Sequence, residues 1–591
     1  MSPAGSDKSQ RSVADAQAGM GMACTDSVGR VAAAVGLGPA RSRFVPCRDV
    51  SFGGVLCALP ALKDNGLFAY LEKLPALPAG FYQLTHVMVL LACMALCRIR
   101  TAEQLRNQPP GELGKLLGLD RIPEVRTLRE KLGLLSQDSA ALAAWSEALA
   151  EHWMAGDVEA AGVLYVDGHV RVYHGELAVL PKRYVSRQRL CLRGTTDYWV
   201  NDLIGQPYFV VSREFNEGLG QVLREEIVPR LLADVPGQPT TEELAADPWR
   251  HRFILIFDRE ASNPGFFQEM FQKHRVACIS YRKQPLESWE ESEFQECQVK
   301  MPGGQTLSMS LAERGTRLGN GLWVQEVRKL SSSGHQVSLM STAYRLSMSE
   351  AAVYLFSRWS QENFIKYMME HYAIDALVEH GAEEADATRE VVNPAWKQED
   401  AQVRSLRQQL QRRQAEYAAG ELDDRLRTVD VQRYQQVQTE LRERIGGLEE
   451  KLAEAKKRRR EAPKRLAMSE LPAEQRIKRL LPGRKQLMDT IKMIAYRAET
   501  GLCGLLREEL GRVEDARPLV RDLFRRDVNL CPQPEQGRLL VEVHHMTNPQ
   551  ADHAVAKLLE KLNATQCVYP GTNLTLHFTL VSSQMPRDQE V

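Results

Sequence analysis

Two apolar runs that each lead into an aspartate constrain this chain more than any other feature. Residues 162–175 read GVLYVDGHVRVYHG, in which four apolar or aromatic residues precede Asp167. Residues 252–260 read RFILIFDRE and lead in the same way to Asp258. An apolar, β-rich run of this length is typical of a strand buried on both faces. An acid where such a strand emerges is costly unless it meets water, a cation or a metal.

Asp167 also has a plainer explanation. Asp-Gly is common in tight turns, so residues 163–167 and 170–174 can be two strands that meet at a hairpin turn. The residues around Asp167 do not by themselves separate these two possibilities, but the second acid at Asp258 favours a shared site.

A third acid, Glu362, lies in residues 354–368, which have a helical pattern. Tyr354, Arg358, Glu362 and Lys366 are four residues apart, so they share one face of that helix. The stripe is either a surface ladder of ion pairs or the wall of a cleft, and the aromatic residues around it favour a cleft. Two acids on strands and one on a helix suit two-metal phosphoryl transfer, in which cations lie about 3.5–4 Å apart. Oxygen ligands suit Mg²⁺.

Length and composition exclude several classes of protein. The chain has 591 residues, too many for one core, so three or more domains are expected. Its longest dense apolar run, residues 86–97, is too short to cross a bilayer, and no membrane partner is expected. The formal net charge is +0, so nucleic-acid binding must come from local patches. The 11 cysteines form no CxxC pair, and Cys93 and Cys97 lie one turn apart on an apolar helix, which indicates a reducing compartment and no structural zinc.

The N-terminal part of the chain divides into two regions. Residues 1–43 are rich in Ala, Gly and Ser and are expected to form a mobile tail. Residues 44–155 have a helical pattern, in which two short helices around a turn fit a helix-turn-helix and therefore a DNA-binding domain. An ordinary helical hairpin with solvated charges is the alternative. The second of the two helices, residues 125–135, carries the candidate DNA-binding cations Arg126, Arg129 and Lys131.

Residues 156–395 are expected to form the catalytic domain, in which residues 161–283 alternate strands with helices. Strands are expected near 163–167, 170–174, 207–212, 252–258 and 276–281, and helices near 219–234 and 264–274. This order is that of an RNase H-like fold. Residues 182–197 (KRYVSRQRLCLRGTTD) are basic and flanked by aromatics, and they either follow a phosphate backbone or form a solvated loop. Residues 284–334 break the alternation and predict a β-rich insertion.

The C-terminal part is helical at first and mixed later. Residues 396–466 are charged, with apolar seams that predict an antiparallel helical hairpin or coiled coil turning near 420–424. The basic run 456–460 is either a solvated helix end or a contact to the DNA backbone. Residues 467–591 predict a helical and α/β domain, with a helix near 484–506. A strand, a helix and a strand are then expected near 539–543, 550–562 and 574–580.

These patterns resemble the DDE transposases of bacterial insertion sequences, in particular the group with a β-strand insertion before the final Glu. The motifs that carry the resemblance are LYVDGHV around Asp167, LIFDREA around Asp258 and RWSQEN from Arg358 to Asn363. The last helix of that family has a Tyr-Arg-Glu-Lys signature. Arg358 and Glu362 match its Arg-to-Glu spacing, whereas Tyr354 lies one residue too far upstream and Lys366 three residues too early. The end of the chain, residues 562–578, also resembles the end of long transposases of this kind.

The resemblance implies an α/β protein with an RNase H-like core that cuts element ends and joins them to target DNA. Asp167, Asp258 and Glu362 would be catalytic and would hold Mg²⁺, with Mn²⁺ as a substitute. The residues implied to contact DNA are Arg358, Tyr354, Lys366, Trp289 and Trp323. Either tryptophan would stack on a base flipped at the element end, unless it packs in the core of the insertion.

The same resemblance implies the partners and the location. The partners are double-stranded DNA, both terminal inverted repeats and target, and further copies of the chain in a homodimer or multimer. The location is the bacterial cytoplasm, at the nucleoid. Two other functions fit the same residues: a metal-dependent nuclease that cuts without joining, and a non-catalytic DNA-binding or scaffold protein.

Overall fold

The computed structural model describes residues 26–175, 180–185, 188–213, 217–283, 287–302, 304–376, 382–384, 390–422, 431–472, 476 and 478–581. These residues form two compact units. The first unit takes in the described parts of Met1–His174, Lys182–His380 and Leu481–Val591, and the second takes in those of Gly175–Pro181 and Gly381–Leu480. Most of the regions predicted as separate N-terminal, catalytic and C-terminal domains therefore pack together in one unit.

The N-terminal part of the first unit is helical, as its pattern predicts. Its α-helices are Ser27–Ala34, Leu59–Asp64, Leu84–Leu96, Pro110–Leu116, Val125–Ser136, Ser139–Gly156 and Val158–Ala161. Shorter 3₁₀ turns are Gly53–Ala58, Leu71–Lys73 and Ala102–Asn107. Cys93 and Cys97 are buried in the core, as their spacing predicts.

The mobile tail predicted for residues 1–43 is wrong from residue 26 onward, and residues 1–25 lie outside the described residues. The helix Ser27–Ala34 is capped by Asp26, whose Oδ1 accepts from the Gly29 amide at 2.9 Å. Arg30 then pairs with Asp120 at 2.5 Å and lies over the ring of Phe81 at 4.1 Å. Composition missed this segment because a few specific contacts, rather than apolar bulk, hold it in place.

One long helix, Gly483–Arg507, forms the centre of the first unit and confirms the helix predicted near 484–506. Leu487, Ile491, Ile494 and Leu502 on this helix are completely buried. The helix packs against Leu84–Leu96 and against several other elements of the unit. The amphipathic pattern of this sequence predicts a helix. It does not predict that other elements pack against most sides of the helix.

The largest sheet of the first unit contains ten described strands. They are β2 (Val163–Val172), β3 (Lys182–Val185), β4 (Leu190–Asn201), β5 (Pro207–Arg213), β6 (Ile254–Phe257), β7 (Ala277–Tyr281), β8 (Gln295–Lys300), β9 (Thr306–Arg317), β10 (Trp323–Leu330) and β11 (Gln336–Ser341). Strand β4 runs antiparallel to its two neighbours β2 and β5, and β6 and β7 run parallel to β2. The order is β3-β4-β2-β6-β7-β11-β10-β9-β8, with β5 paired to β4.

The strand β2 corrects the prediction of two strands near 163–167 and 170–174. It pairs with β4 without interruption from Tyr165 opposite Asn201 to Val172 opposite Gly194. The hairpin-turn explanation of Asp167 is therefore wrong. Asp167 also lies within β2 rather than at its end, because the strand continues along β4 after its partner β6 has stopped.

The possible solvated loop at residues 182–197 instead contains, in its described part, the paired strands β3 and β4. The inner half of β4 carries polar residues that are buried, which hid the strand from a hydrophobic pattern. Asp197 accepts a hydrogen bond from Ser212 at 2.7 Å and lies within 4 Å of the cationic groups of Arg171 and Lys485. These partners compensate the buried charge, so the strand is stable despite its polar sequence.

The helices around this sheet follow the predicted alternation. They are Leu219–Val222, which continues through the π turn Leu223–Ile227 into Val228–Asp234, then Thr241–Ala246, Pro264–His274, Met348–Phe356, and Trp359–Tyr367, which continues into the π turn Met368–Tyr372. The predicted insertion contains β8, β9 and β10, which extend the sheet through β11. Short 3₁₀ turns are Arg259–Ala261 and Glu291–Glu293.

A second sheet closes the first unit. It contains β1 (Cys47–Val50), β16 (Val528–Gln533), β17 (Arg538–Val543) and β18 (Thr575–Leu580), in the order β1-β16-β17-β18. The helix Pro549–Ala564 connects the parallel strands β17 and β18, which confirms the predicted strand, helix and strand. The remaining elements are the helix Ala516–Arg525 and the 3₁₀ turns Val513–Asp515 and Pro534–Gln536.

The second unit is built on two long helices, Pro394–Leu422 and Val431–Glu461. They run antiparallel, since Arg458 pairs with Glu399 while Arg442 bonds to Tyr417. The predicted seam is present as a buried apolar cluster of Val403, Leu410, Leu452 and Ala455. The predicted turn near 420–424 is wrong at 420–422, which are helical; residues 423 and 424 lie outside the described residues.

Four short strands accompany these helices. Strand β12 (Ala382–Glu384) pairs with β15 (Lys478–Leu480), and β13 (Glu390–Val392) pairs with β14 (Arg465–Ala467). A 3₁₀ turn covers Met468–Glu470.

No helix in the described part of the chain has the length and apolar content that crossing a bilayer requires.

Candidate active site

The register of two parallel strands brings Asp167 and Asp258 to the same edge of the sheet. Val166 on β2 is opposite Phe257 on β6, and this is the last pair between the two strands. Asp167 is the next residue on β2, and Asp258 immediately follows the end of β6. Parallel strands end at the same edge, so two acids that are far apart in sequence become neighbours.

The helix Trp359–Tyr367 carries the third acid and is fixed to the sheet beside it. Gln361 is completely buried, and its Nε2 donates to the carbonyl oxygens of Tyr165 at 3.2 Å and Trp199 at 3.0 Å. It also donates to Asn201 Oδ1 at 3.2 Å. A neighbouring turn of the helix packs Phe364 against Trp199, with ring centroids 5.3 Å apart. These contacts fix the position of Glu362, the residue after Gln361.

One guanidinium contacts all three acids. Arg358 Nη2 donates to Glu362 Oε1 at 2.7 Å and lies 4.0 Å from Asp258 Oδ1. Its Nη1 lies 3.6 Å from Asp167 Oδ2. The side chain of Arg358 is 13% exposed, whereas Asp167, Asp258 and Glu362 are 23%, 40% and 56% exposed. The structure thus brings together the four residues that carry the sequence motifs.

The electrostatics of this cluster are unbalanced. Three carboxylates surround one cation, and the Nε of Arg358 is buried without a hydrogen-bond partner among the described residues. Burial raises the pKa of Asp167 to about 6, although the charge of Arg358 and a hydrogen bond from the Gly168 amide act in the opposite direction. The same carboxylates raise the pKa of Arg358, against the effect of its burial. The cluster therefore favours additional positive charge.

The four residues line an open cavity of about 760 Å³. Its other walls come from the β3–β4 hairpin and from the loop that leads to Leu219–Val222. Glu260 lies in this cavity too, but its Oε1 accepts from the Leu219 amide at 3.1 Å. A cavity of this size, with several charged groups, is typical of a binding or catalytic site.

The donor set of this site fits a hard divalent cation. Carboxylate oxygens are the ligands that Mg²⁺ prefers, and the excess negative charge around Arg358 would be neutralised by it. Within the described residues, however, no three His, Cys, Asp or Glu side chains are placed closely enough to surround an ion. The acids converge on the guanidinium of Arg358 instead.

The other two members of the predicted helical stripe lie away from this cluster. Tyr354 packs against a smaller apolar core, and its carbonyl oxygen accepts from the Tyr165 hydroxyl at 2.6 Å. Lys366 is exposed and does not line the cavity. The stripe is interrupted because the helix Met348–Phe356 ends before Arg358 and a new helix begins at Trp359.

The two tryptophans of the insertion occupy different environments. Trp289 is 7% exposed and lies between Arg314 and Arg328, whose guanidinium carbons are 4.7 Å and 4.2 Å from its ring. This is the core position that was the alternative to base stacking. Trp323 is 44% exposed on β10 and lies 5.3 Å from the ring of Tyr344.

The predicted DNA-reading cations lie on the helix Val125–Ser136, apart from the cavity. Arg126 pairs with Glu130 at 3.1 Å, and Arg129 pairs with Glu103 at 2.8 Å. Lys131 is half-buried, which lowers its pKa. The two helices around the turn are present, but their role in DNA recognition stays a prediction.

Sequence reasoning missed Gln361, and it gave the outward-facing residues of the β3–β4 hairpin only as part of a basic run that either follows a phosphate backbone or forms a solvated loop. Gln361 had a weak signal, since it is a polar residue on the inner side of an amphipathic helix. Lys182 and Tyr184 had a stronger one, because residues 182–197 are basic and flanked by aromatics. Only the sheet topology places that run in the same cavity as the acids.

A comparison with models of known protein families matches most of this chain. A family model described as "Transposase protein" matches residues 21–582. The chain belongs to this transposase family. Transposase membership is thereby confirmed, while the bacterial insertion-sequence group and the DDE type stay predictions.

Two further comparisons, with curated proteins and with solved structures, add less. No curated protein matches the chain. Among solved structures, the chain has some similarity to a piggyBac transposase in a synaptic complex with hairpin DNA. The identity is 10%, the TM-score is 0.32, and the match covers 55% of this chain and 70% of that one.

Proposed function

We propose that this member of the transposase family is a DDE-type enzyme that cuts the ends of a DNA element and joins them to target DNA. The observation that carries the proposal is the contact of one guanidinium, that of Arg358, with Asp167, Asp258 and Glu362. A single cation in contact with three acids from two strands and a helix marks where positive charge is needed. Enzymes that transfer phosphoryl groups with two metals require such a convergence.

The topology supports an RNase H-like core for this function. Strands β5, β4 and β2 are antiparallel, and β6 and β7 follow in parallel on the other side of β2. An RNase H-like core has adjacent strands of this kind ahead of its parallel ones, although the sequence pattern predicted the first two at 163–167 and 170–174 rather than at β2 and β4. The acids lie where β2 loses its parallel partner β6, beside the helix Trp359–Tyr367.

In this proposal the acids hold Mg²⁺, or Mn²⁺ in its place, and the other residues position the DNA. When bound, the metal supplies nucleophile activation and stabilisation of the leaving oxygen. Arg358 would leave the carboxylates and donate to a phosphate oxygen near the cut, since guanidinium forms paired hydrogen bonds with phosphate. Gln361 would keep Glu362 at the sheet edge throughout.

The remaining parts of the proposal concern partners and location. We infer that the chain binds double-stranded DNA at terminal inverted repeats and at the target. We also infer that it acts as a homodimer or larger multimer on DNA in the bacterial cytoplasm, at the nucleoid. The exposed Trp323 is retained as the candidate for base stacking, with Tyr344 as its neighbour.

The test is cleavage and strand transfer on DNA that carries the element ends. Asp167→Asn, Asp258→Asn and Glu362→Gln each remove a charge but keep the shape, so each should reduce Mg²⁺-dependent cleavage to background without unfolding the protein. Glu260→Gln is the matched control, because Glu260 lines the same cavity without contacting Arg358. It should retain cleavage within a few-fold of the original.

The outcomes separate the alternatives. Cleavage that persists in any one of the three variants removes that residue from the site. Cleavage without joining of pre-cut ends identifies a nuclease rather than a transposase. DNA binding with no response to metal in any assay supports a scaffold role and contradicts the proposal.

A further inference from the structure

The β3–β4 hairpin presents a basic and aromatic face outward. Lys182 on β3 is opposite Arg193 on β4, and Tyr184 is opposite Cys191. Residues that are directly opposite in an antiparallel pair project from the same face of the sheet. All four are exposed, and Tyr184 is 61% exposed, so this face is open to solvent.

The described residues supply no ion pair for the two cations on this face. Like charges directly opposite each other across two strands are destabilising. Neither Lys182 nor Arg193 forms an ion pair with another described residue. Arg183, which projects from the other face, donates instead to the carbonyl oxygens of Gly194 at 3.2 Å and Arg213 at 3.1 Å. The inward arginine therefore stabilises the hairpin, while the outward cations are available to an anion.

The position of the hairpin identifies the kind of anion. All four residues of β3, with Lys182 and Tyr184 among them, line the same cavity of about 760 Å³ as Asp167, Asp258 and Glu362. Arg193 continues the basic face across the hairpin from Lys182. A polyanion can thus place the bond to be cut at the acids while the hairpin binds another part of the same molecule.

We propose that the outward face of the β3–β4 hairpin binds the DNA strand that enters the candidate active site. Lys182 and Arg193 neutralise consecutive parts of its phosphate backbone, and Tyr184 stacks on an unpaired base or sugar. Cations that track a backbone, together with an exposed aromatic ring, are typical of nucleic-acid binding without sequence preference. This inference rests on the proposed function and adds to it a substrate-holding surface.

The salt dependence of binding tests the two cations. The probe is a fluorescent random-sequence duplex with a single-stranded extension, and anisotropy is measured over a series of salt concentrations with the full chain. Each lost phosphate contact lowers the slope of log affinity against log salt by about 0.9. The double variant Lys182→Gln with Arg193→Gln should therefore lower the slope by about 1.8 on the same basis.

The matched control is Arg512→Gln with Arg538→Gln. Both residues are exposed, neither lines the cavity, and the pair removes the same charge. The control should leave the slope unchanged, and both double variants should melt at the temperature of the original protein. An equal decrease of the slope in the control would show a general charge effect and overturn the proposal.

A third variant separates stacking from charge. Tyr184→Leu should reduce affinity for the single-stranded extension by about five-fold or more, with no change in the salt slope. Unchanged affinity would show that Tyr184 does not belong to the DNA-binding face. An unchanged slope in the Lys182 and Arg193 variant would overturn the proposal as a whole.

The failure of the proposed function gives a different result. If the original protein does not bind the probe at any salt concentration, the function in DNA transposition is contradicted together with this surface. Binding by Asp167→Asn with the original slope, together with loss of cleavage, supports the function. The hairpin variants then decide about the surface alone.

Discussion

Two clusters of charged side chains lie along the same stretch of helix, and they are built in opposite ways. At the candidate site, one guanidinium, Arg358, contacts three partly exposed acids. At the other end of the stretch, one fully buried acid, Glu499, is surrounded by four donors. Its Oε2 accepts from Arg98 and from Tyr372, both at 2.6 Å, and its Oε1 accepts from Tyr367 and, at 3.3 Å, from Arg517.

The number of hydrogen-bond donors for each acid indicates which cluster is structural and which can bind a ligand. Each oxygen of Glu499 has two donors, and the charges of Arg98 and Arg517 lower its pKa in spite of the opposing effect of burial. Such a group has no remaining capacity for a ligand. Arg358, in contrast, is outnumbered by acids, and its Nε has no partner among the described residues.

The two clusters are also connected. Glu362 is on the helix Trp359–Tyr367, and Tyr367 and Tyr372 are on the same helix and the π turn that follows it. Glu499 belongs to the central helix Gly483–Arg507. We call the cluster around Glu499 saturated, because each carboxylate oxygen has two donors, and the cluster around Arg358 unsaturated. The saturated cluster fixes the end of the helix that carries Glu362 of the unsaturated cluster. A rigid interior can position a reactive surface in this way.

The largest expected effect is a difference in the free energy of unfolding between variants of the two clusters. Glu499→Ala leaves Arg98 and Arg517 without their shared acid, which costs about 3–5 kcal/mol of the free energy of unfolding. Glu362→Ala removes a half-exposed acid from a site that has too many, so its effect should stay within about 0.5 kcal/mol. Denaturant titration of both variants measures this, and equal losses would show that the two clusters do not differ in kind.

A metal should stabilise the protein through the acids around Arg358 and not through Glu499. Mg²⁺ that binds only the folded protein stabilises it by about 2.7 kcal/mol at a hundred times its dissociation constant. Thermal melting should show this gain in the original protein and in Glu499→Gln, but not in Asp167→Asn. K⁺ at the same ionic strength is the control, and a gain of equal size in Asp167→Asn would place the metal elsewhere.

The sequence predicted the unsaturated cluster better than the saturated one, for a physical reason. Apolar strands that lead into Asp167 and Asp258 leave a clear pattern, because burial on both faces requires consecutive apolar residues. Glu499 leaves none, since its partners come from three separate segments of the chain. A compensated buried charge has the same sequence appearance as an exposed one.

The fold shows the same limit. The amphipathic helix Gly483–Arg507 and the final strand, helix and strand were predictable from periodicity. Strand β4 was not, because Thr195, Thr196 and Asp197 are polar yet buried. The helix Ser27–Ala34 was missed too, since a cap and the Arg30–Asp120 pair hold it. Tertiary partners, rather than local preference, decide these cases.

Competition between Arg358 and a metal is a smaller effect that sharpens the comparison. Arg358→Gln removes the cation that contacts all three acids, so Mg²⁺ should bind more tightly, by roughly ten-fold for a partly screened charge. Calorimetric titration of Mg²⁺ measures the affinity, while cleavage should fall because Arg358 would also hold the phosphate. Affinity that stays the same or falls would mean that Arg358 and the metal do not share the acids.

The smallest expected effect is the acid dependence of the saturated cluster. The pKa of Glu499 is lowered in the folded protein below its ordinary value of 4.5. The stability that it contributes is therefore fully present above pH 4.5 and is lost as the pH falls through the lowered pKa. Below that point the protonated acid resembles Gln, so the difference in stability between the original protein and Glu499→Gln should shrink.

Denaturant titrations over a series of pH values from neutral to acidic measure this difference. Tyr372→Phe is the control, because it removes one donor from Glu499 but keeps the carboxylate and both arginines. Its stability should decline with acid as that of the original protein does, and the gap between these two should change much less. A gap between the original protein and Glu499→Gln that stays constant below pH 4.5 would show that Glu499 stabilises the helix by packing and not by charge.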